Sequence, residues 1–487
     1  MNKPLSHIIL ERKTLLIGER WAAEGEHGTM EHINPSTGKI LGKFASAGVS
    51  DLNAAVAAAK AAYPAWRAVT ADQKREILLK LGALLERHRA ELDMLSSMES
   101  GHPISLPSTG VAIDHVLYNA GWIDKLEGQT VPVYPQRALN LVEHEPYGVI
   151  GAIVTWNGPL AMTAMKVSAA IAAGNCVVLK PAELAPFAPA RFAELALEAG
   201  LPPGVLNVVT GGPEVSDALV RHKDVGKITF TGSIPIARQI LKAASETIKP
   251  VLLELGGKSA NIVFPDADLD NAAHMSAFFG AMMVAGQGCL LPTRLLVHNS
   301  IYDEFVERVV TNIRQAKLGD ALDPATMVGP VISSRAVERI MGYIDGAKND
   351  GSAKLLTGGE RGRGALADGY FIEPTVFGDV DNRSRLAQEE IFGPVLSVIR
   401  FDTEEQAIAM ANDTSFGLAG YVHTNDLRRA HRVASQIEAG YLGVNAFPPM
   451  PASAPFGGWK ESGVGKEGGR IGIEEFRRAK NIYIPLD

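Results

Sequence analysis

The sequence predicts an α/β protein built on doubly wound parallel sheets, and three observations support this fold class. From Gly148 onward, short apolar runs alternate with helical patterns; residues 149–154, for example, precede a helical stretch from Pro159 to Ala173. The runs are apolar along almost their whole length, which is typical of parallel strands covered by helices on both faces. The same alternation starts again after Leu255, which predicts a second α/β unit.

Before the first of these strands, the chain predicts two helices. The first has apolar residues at helical spacing from Leu52 onward and is expected to end near Pro64, because proline interrupts a helix. The second begins at Thr70, where Gln73 completes a capping box, and its apolar stripe continues to Leu95.

The rest of both units follows the same pattern. In the first unit, apolar runs at 175–179, 206–210 and 227–231 are predicted strands, each followed by a helix. In the second unit, a strand at 295–298 precedes a helix at 301–315, and a further helix is predicted from the apolar spacing of Val337, Ile340 and Ile344.

Two segments fit neither unit. Residues 128–147 carry valines and leucines among turn residues, which predicts an extended hairpin leaving the domain body. The tail at 482–486 is too short to form a domain, so we expect it to pair with the hairpin or with another subunit.

Composition narrows the functional classes. The chain has 487 residues, more than the roughly 100–200 of a single domain, so two or three domains are expected. Its 47 basic and 54 acidic residues give a net charge of −7, which offers no electrostatic footprint for nucleic acid. The two cysteines, Cys176 and Cys289, are too few for a disulfide framework and favour a reducing, cytoplasmic compartment.

No membrane segment or secretion signal is predicted. Residues 1–16 lack the apolar core of a signal peptide. Residues 271–293 carry no charge and are long enough to cross a bilayer, but their polar residues, glycines and proline favour a buried helix that runs into a loop.

Three local stretches resemble known binding motifs, but the residues around them do not support a binding site. Gly463, Gly465 and Gly468 match G-x-G-x-x-G, but a loop precedes them and the chain ends before the acidic residue that a dinucleotide site requires. The P-loop-like stretch 257–259 lacks its first glycine. The acidic stretch 266–270 resembles the start of an EF-hand, but the sixth and twelfth positions do not match. No metal site is predicted.

Four features carry chemistry. Lys180 and Glu183 follow a predicted strand at the place where a nucleotide ribose would bind, although such a pair is also common in solvated turns. The stretch 231–233 opens a helix, whose free N–H groups favour phosphate as well as a simple helix cap. Cys289 lies in a glycine-flanked loop, and the sequence allows it to be either a reactive or an inert thiol. Glu254 is a carboxylate within an apolar segment, where burial would raise its pKa.

Together these features resemble the aldehyde dehydrogenase superfamily along essentially the whole chain. The matching stretches are Trp156-Asn157, Gly174–Glu183, Phe230–Ser233, Glu254–Gly257, Gly286–Cys289, Glu389–Pro394, Ser415–Leu418 and Pro455–Gly458. The resemblance implies a Rossmann-like NAD-binding domain at 1–125 and 148–255, a catalytic domain at 256–460, and an oligomerisation arm formed by 126–147 and 470–487. It also implies a homodimer or homotetramer.

The resemblance further implies oxidation of an aldehyde to a carboxylic acid. Cys289 would attack the aldehyde to give a thiohemiacetal, and the amide of Asn157 would stabilise the oxyanion. Transfer of hydride to NAD would leave a thioester, which Glu254 would hydrolyse by activating water, with Lys166 assisting proton relay. The expected cofactor-binding residues are Trp156, Lys180, Glu183, Gly232, Ser233, Leu255, Glu390 and Phe392.

Cofactor and substrate choice follow from single residues. Glu183 would accept hydrogen bonds from ribose hydroxyls and repel a 2′-phosphate, so NAD is favoured, although Lys180 would also tolerate NADP.

Four sites in this sequence depart from the common pattern of the family: Thr155, Gly158, Val284 and the pair Ile234-Pro235. The expected substrate pocket has few aromatic walls, which favours a bulky or aromatic hydrophobic aldehyde; its residues are Gly158, Met165, Leu290, Met450 and Phe456.

Two other functions remain open on the same scaffold. An acylating relative would pass the thioester to coenzyme A, but such branches commonly lack the carboxylate found at Glu254. A non-enzymatic, crystallin-like protein would keep the fold alone. The presence of Cys289, Asn157 and Glu254 argues against this second alternative.

Overall fold

The computed structural model describes residues 10–351, 353–447 and 450–486, and it has the predicted α/β class. Residues 1–9, which contributed to the expectation about secretion, and residue 487 of the expected arm lie outside the described residues. The N-terminal elements are β1 (Leu10–Glu11), β2 (Leu15–Ile17), β3 (Arg20–Ala22), β4 (Thr29–Asn34), β5 (Lys39–Ala45), α1 (Val49–Ala68), α2 (Ala71–Arg87), α3 (Arg89–Ser100) and α4 (Thr109–Trp122).

The first two predicted helices need correction at their ends. Helix α1 continues through Pro64 to Ala68, because Trp66 beyond the proline is buried in the core and its packing holds the last turn. The capping box at Thr70 is present. The predicted second helix is two helices, since the chain bends at His88, whose ring hydrogen-bonds to Glu91 at 2.9 Å.

The hairpin and the first sheet follow. Their elements are β6 (Gln129–Thr130), β7 (Ala138–Pro146), β8 (Val149–Ile153), α5 (Pro159–Ala172), β9 (Cys176–Lys180), α6 (Phe187–Glu198), β10 (Leu206–Val208), α7 (Pro213–Arg221), β11 (Lys227–Thr231), α8 (Ile234–Ser245) and β12 (Val251–Glu254). Five parallel strands run in the order β12-β11-β8-β9-β10, and β2 and β3 extend the β10 edge.

The strand order of this sheet locates a ligand cleft. From β8 the chain winds through β9 to β10 on one side, and through β11 to β12 on the other side. The connections after β8 and β11 therefore diverge, which opens a crevice at the carboxyl ends of these two strands. Residues 155–157 follow β8 and residues 232–233 follow β11, so predicted site residues from both segments border the same crevice.

The second unit has its own sheet and its own apolar core. Its seven strands run in the order β15-β16-β17-β14-β13-β19-β20, and only the β15–β16 pair is antiparallel. The elements are β13 (Ala260–Val263), α9 (Leu269–Ala277), β14 (Arg294–His298), α10 (Tyr302–Arg314), α11 (Ser334–Asp350), β15 (Lys354–Thr357), β16 (Thr375–Gly378), α12 (Arg385–Gln388), β17 (Val395–Phe401), α13 (Glu404–Asn412), β18 (Phe416–Gly417), β19 (Ala419–His423), α14 (Leu427–Ala434) and β20 (Tyr441–Val444).

The C-terminal elements return to the first sheet and to the hairpin. They are β21 (Trp459–Lys460), β22 (Gly463–Val464), α15 (Gly469–Glu474) and β23 (Arg477–Pro485). The G-x-G-x-x-G stretch lies on β22, which runs antiparallel to β12, and this geometry is incompatible with a dinucleotide fingerprint. Strand β23 pairs antiparallel with β7, so the tail pairs with the hairpin of its own chain.

The uncharged segment 271–293 is a broken helix and a loop, as expected. Helix α9 ends at Ala277, a π-helical turn spans Phe278–Met282, and the chain then leaves helical geometry at Val284. Within the described ranges, no helix is long and apolar enough to cross a membrane.

Candidate active site

A cleft of about 470 Å³ lies at the crevice between the carboxyl ends of β8 and β11. The fold brings together here eight of the residues that the sequence predicted for the site. They are Trp156, Asn157, Gly232, Ser233, Leu255, Cys289, Glu390 and Phe392. Arg339 and Tyr343 of α11 also line the cleft, and the sequence analysis missed both because no motif surrounds them.

The start of helix α8 forms one wall of the cleft. Ser233 is the residue before the first helical turn, and Pro235 lies within that turn, where its missing N–H is not needed. A side chain at Gly232 would collide with the ring of Phe230. Glycine therefore lets the backbone stay close to the strand and leaves the helix N–H groups open to an anion.

Glu390 and Phe392 form the opposite wall. The carboxylate of Glu390 accepts a hydrogen bond from the Gly257 backbone N–H at 3.0 Å, and burial raises its pKa to about 7. Phe392 meets Trp156 edge-on, with ring centroids 5.4 Å apart. Arg339 donates hydrogen bonds to the carbonyl groups of Ile391 and Phe392, which holds this segment against α11.

Lys180 and Glu183 lie outside the residues that line the cleft. They follow β9, the strand next to β8, and the Lys180 ammonium donates to Glu183 at 2.9 Å. Lys180 is buried, whereas about a third of the Glu183 side chain is exposed. Glu183 thus presents a carboxylate to solvent one strand away from the cleft.

Cys289 lies in the loop that leads to β14, and two nearby glycines have no room for a side chain. A side chain at Gly286 would collide with the Gly393 carbonyl, and one at Gly257 would collide with the Cys289 carbonyl. Burial, followed by the charges of Glu390 and Glu254, raises the pKa of the Cys289 thiol to about 12. The thiol therefore needs a base to become a nucleophile. Cys176, in contrast, is fully buried on β9.

Asn157 approaches the same loop from the first sheet. It follows β8, and its side-chain Nδ2 donates a hydrogen bond to the carbonyl of Gln287 at 2.9 Å. This contact orients the amide towards the segment that carries Cys289.

Glu254 ends strand β12 as a buried carboxylate with open hydrogen-bonding capacity. Neither of its side-chain oxygens has a hydrogen-bond partner among the described residues. Burial raises its pKa well above the usual value, the charge of Glu467 adds to this rise, and Lys166 and Lys466 oppose it. A carboxylate in this environment can accept a proton near neutral pH.

Lys166 is fully buried on α5 and is paired. Its ammonium donates to the Thr229 hydroxyl at 2.9 Å and forms an ion pair with Glu467. The sequence analysis missed Glu467, because its partner lies 301 residues earlier and nothing in the glycine-rich stretch around it indicates a buried acid. The ion pair lies near enough to Glu254 to shift its pKa in both directions.

Comparison with known proteins agrees with this geometry. A model described as the aldehyde dehydrogenase family matches residues 21–482. The chain belongs to the aldehyde dehydrogenase family. Human mitochondrial aldehyde dehydrogenase is 41% identical over 97% of this chain and 92% of its own. The family assignment confirms the superfamily that the motifs predicted, and with it an oxidoreductase.

Solved structures show the same fold. An NAD+ complex of an aldehyde dehydrogenase from Bacillus cereus superposes with a TM-score of 0.95 at 38% identity, covering 98% of this chain and 97% of that one. An NAD-dependent aldehyde dehydrogenase from Sinorhizobium meliloti gives a TM-score of 0.96 at 37% identity, covering 100% and 97%.

In this aldehyde dehydrogenase, a small apolar cluster packs against Cys289. Of the residues predicted for the substrate pocket, Leu290, Met450 and Phe456 belong to this cluster or pack against it, whereas Met165 lies on α5 and Gly158 just before it, outside the cluster. The other members are Leu418, Ala419, Tyr421, Tyr441, Phe447 and Cys289 itself.

Aromatic rings that the sequence analysis missed extend this cluster. Phe447 stacks on Phe279 with centroids 3.8 Å apart and on Tyr421 at 5.2 Å. The Tyr421 hydroxyl donates to the Leu290 carbonyl at 2.9 Å, which ties the stack to the residue after Cys289. Because both faces of Phe447 are covered, the stack does not form a cage for a quaternary ammonium group.

Proposed function

We propose that this enzyme oxidises a bulky or aromatic hydrophobic aldehyde to the carboxylic acid through a covalent thioester on Cys289, with NAD as the hydride acceptor. The observation that carries the proposal is the convergence of three groups from different parts of the chain. The Cys289 thiol and the oxyanion donor Asn157 line one cleft, and the open carboxylate Glu254 lies close enough to Cys289 to raise its pKa.

The residues of the cleft fit NAD. The open start of α8 suits a pyrophosphate, and glycine at 232 and 256 lets the Phe230 ring and the Glu390 carboxylate lie directly against the backbone. Glu183 and Glu390 would accept hydrogen bonds from ribose hydroxyls. Glu183 disfavours the 2′-phosphate of NADP, while its partner Lys180 would tolerate it.

The chain's own groups account for each proton. The Cys289 thiol, with its raised pKa, transfers its proton to Glu254 and adds to the aldehyde carbon. The Asn157 amide and the Cys289 backbone N–H stabilise the oxyanion. NAD, when bound, would supply the hydride acceptor, so that the Cys289 thiohemiacetal would become a thioester as its carbonyl group re-forms. Glu254 would first lose the proton it took from the thiol, with the Lys166–Glu467 pair as the proposed route. It would then take a proton from the water that attacks the thioester, and the carboxylic acid would leave Cys289.

The substrate class rests on the apolar cluster beyond the thiol. Met450 and Phe456 pack with the aromatic stack, so an aldehyde reaching Cys289 from this side meets hydrophobic and aromatic surface. The flexible methionine side chain adapts to larger substrates. Hydrolysis rather than transfer to coenzyme A is favoured because Glu254 is present and has both oxygens open.

We also propose a homodimer or homotetramer in a reducing, cytoplasmic environment. Ile236 and Leu241 on α8 and Ile248 after it expose 43%, 44% and 90% of their surface, and a second subunit would cover such apolar side chains. The β7–β23 arm adds further exposed side chains, including Tyr483 and Ile484. The proposed domains are 1–125 with 148–255 for NAD, 256–460 for catalysis, and 126–147 with 470–487 as the arm.

The reaction is tested by screening aldehydes with NAD and NADP and following the absorbance of the reduced cofactor. Benzaldehyde-sized substrates should give a higher kcat/KM than acetaldehyde. Cys289→Ala should abolish turnover, whereas Cys176→Ala, which removes the other thiol, should keep it. Turnover by Cys289→Ala would refute the covalent mechanism, and a clear preference for acetaldehyde would refute the substrate class.

A further inference from the structure

The backbone just before Cys289 is strained. Val284, Ala285 and Gly286 follow one another with φ values of 45°, 52° and 70°. Glycine adopts this left-handed region readily, but other residues do so rarely, and a β-branched residue such as valine is least suited to it. Such a backbone persists only where surrounding contacts hold it in place.

Gln287 supplies these contacts from a fully buried position. Its side-chain Nε2 donates to the Val284 carbonyl at 3.1 Å and to the Pro330 carbonyl at 3.4 Å, and its Oε1 accepts from the Ile332 N–H at 2.9 Å. The Gln287 backbone N–H also donates to the Val284 carbonyl, at 3.1 Å. Backbone and side chain of one residue therefore close the same turn.

Gln287 also connects this turn to the rest of the site. Its carbonyl accepts the hydrogen bond from the oxyanion donor Asn157. Its partner Ile332 immediately precedes Ser333, which caps helix α11, and α11 carries Arg339 at the cleft. One buried residue thus joins the thiol loop and helix α11 through its side-chain amide, and the oxyanion donor through its backbone carbonyl.

We propose that Gln287 is a positioning residue for Cys289 and Asn157. Its side-chain amide holds the left-handed turn that aims the thiol, and its carbonyl fixes the direction of the Asn157 amide. This inference rests on the proposed function, in which Cys289 is the nucleophile. Gln287 itself is not among the residues that line the cleft.

The test replaces Gln287 by methionine, which keeps the volume of the side chain but not its hydrogen bonds. Because a misplacement of about 1 Å can slow an enzyme about 100-fold, kcat should fall by about that factor while KM for NAD changes less than about threefold. Asn382→Ala is the matched control. Asn382 is another buried amide of the second unit, bonded to Arg294 and to the Met410 carbonyl, and its loss should leave kcat within about threefold.

A rescue experiment separates positioning from general stability. Adding Val284→Asn to Gln287→Met relieves the turn, since asparagine tolerates the left-handed region, and should recover at least about tenfold in kcat. A double variant no faster than Gln287→Met would overturn the proposal, as would an equal loss of kcat in Asn382→Ala or a Gln287→Met enzyme with unchanged kcat. An active Cys289→Ala variant would instead refute the proposed function, so the two failures are distinguishable.

Discussion

The ion pair between Lys166 and Glu467 should set the pH at which the enzyme begins to work. Glu254 must be ionised to act as a base, and its pKa is raised by burial and by Glu467 but lowered by Lys166. Glu467→Gln removes the negative charge that raises the pKa of Glu254 and keeps the positive charge of Lys166, so the pKa of Glu254 should fall. Lys166→Met removes the positive charge and has the opposite effect.

The size of the shift follows from Coulomb's law. Two unit charges about 10 Å apart, at an effective dielectric constant of about 20, interact by about 1.7 kcal/mol. That energy corresponds to a little over one pKa unit. The acidic limb of the profile of kcat against pH should therefore move down by about one unit in Glu467→Gln and up by about one unit in Lys166→Met.

The assay is steady-state turnover at saturating aldehyde and NAD across the pH range. Glu475→Gln is the matched control, because Glu475 also pairs with a buried lysine, Lys227, at 2.6 Å. Lys227 is the first residue of β11 and therefore lies at the end of that strand away from the cleft. In this variant, the acidic limb of the profile of kcat against pH should stay at the pH found for the unmodified enzyme. Shifts of the same sign in the Lys166 and Glu467 variants, or no shift in either, would refute the electrostatic coupling to Glu254.

Three further predictions test separate parts of the site. Val284→Asn should raise the midpoint temperature of thermal unfolding, because asparagine tolerates the left-handed backbone at this position better than valine by about 1 kcal/mol. A lowered midpoint would show that the backbone at Val284 is not strained. Gly232→Ala should raise KM for NAD about tenfold, because the added methyl group displaces the Phe230 ring and the start of α8 from phosphate-binding geometry. Initial rates at varied NAD concentration measure this KM, and an unchanged value would contradict the prediction. Glu183→Ala should lower the ratio of kcat/KM for NAD to that for NADP about tenfold, and an unaltered ratio would show that Glu183 does not select the cofactor.

The sequence predicted the layers of this protein better than it predicted its long-range pairs. Strand β9 and helix α5 follow from local hydrophobic patterns, and those patterns already separated the buried Cys176 from Cys289. The sequence did not predict Glu467 as a site residue, because its partner Lys166 lies 301 residues away in the chain. The aromatic stack on Phe447 escaped for the same reason, since Phe279 and Tyr421 meet it only in the folded protein.

The two raised pKa values in the site have a common consequence. The Cys289 thiol has a pKa of about 12, and the pKa of Glu254 beside it is raised as well, so we expect the two groups to share at most one negative charge. Each ionised group would raise the pKa of the other, and therefore a proton can move from thiol to carboxylate without creating a second anion. A cationic group bound in the cleft would stabilise that single anion in either position. The site is thus arranged so that its nucleophile forms with the ligands in place, which limits oxidation of the thiol in their absence.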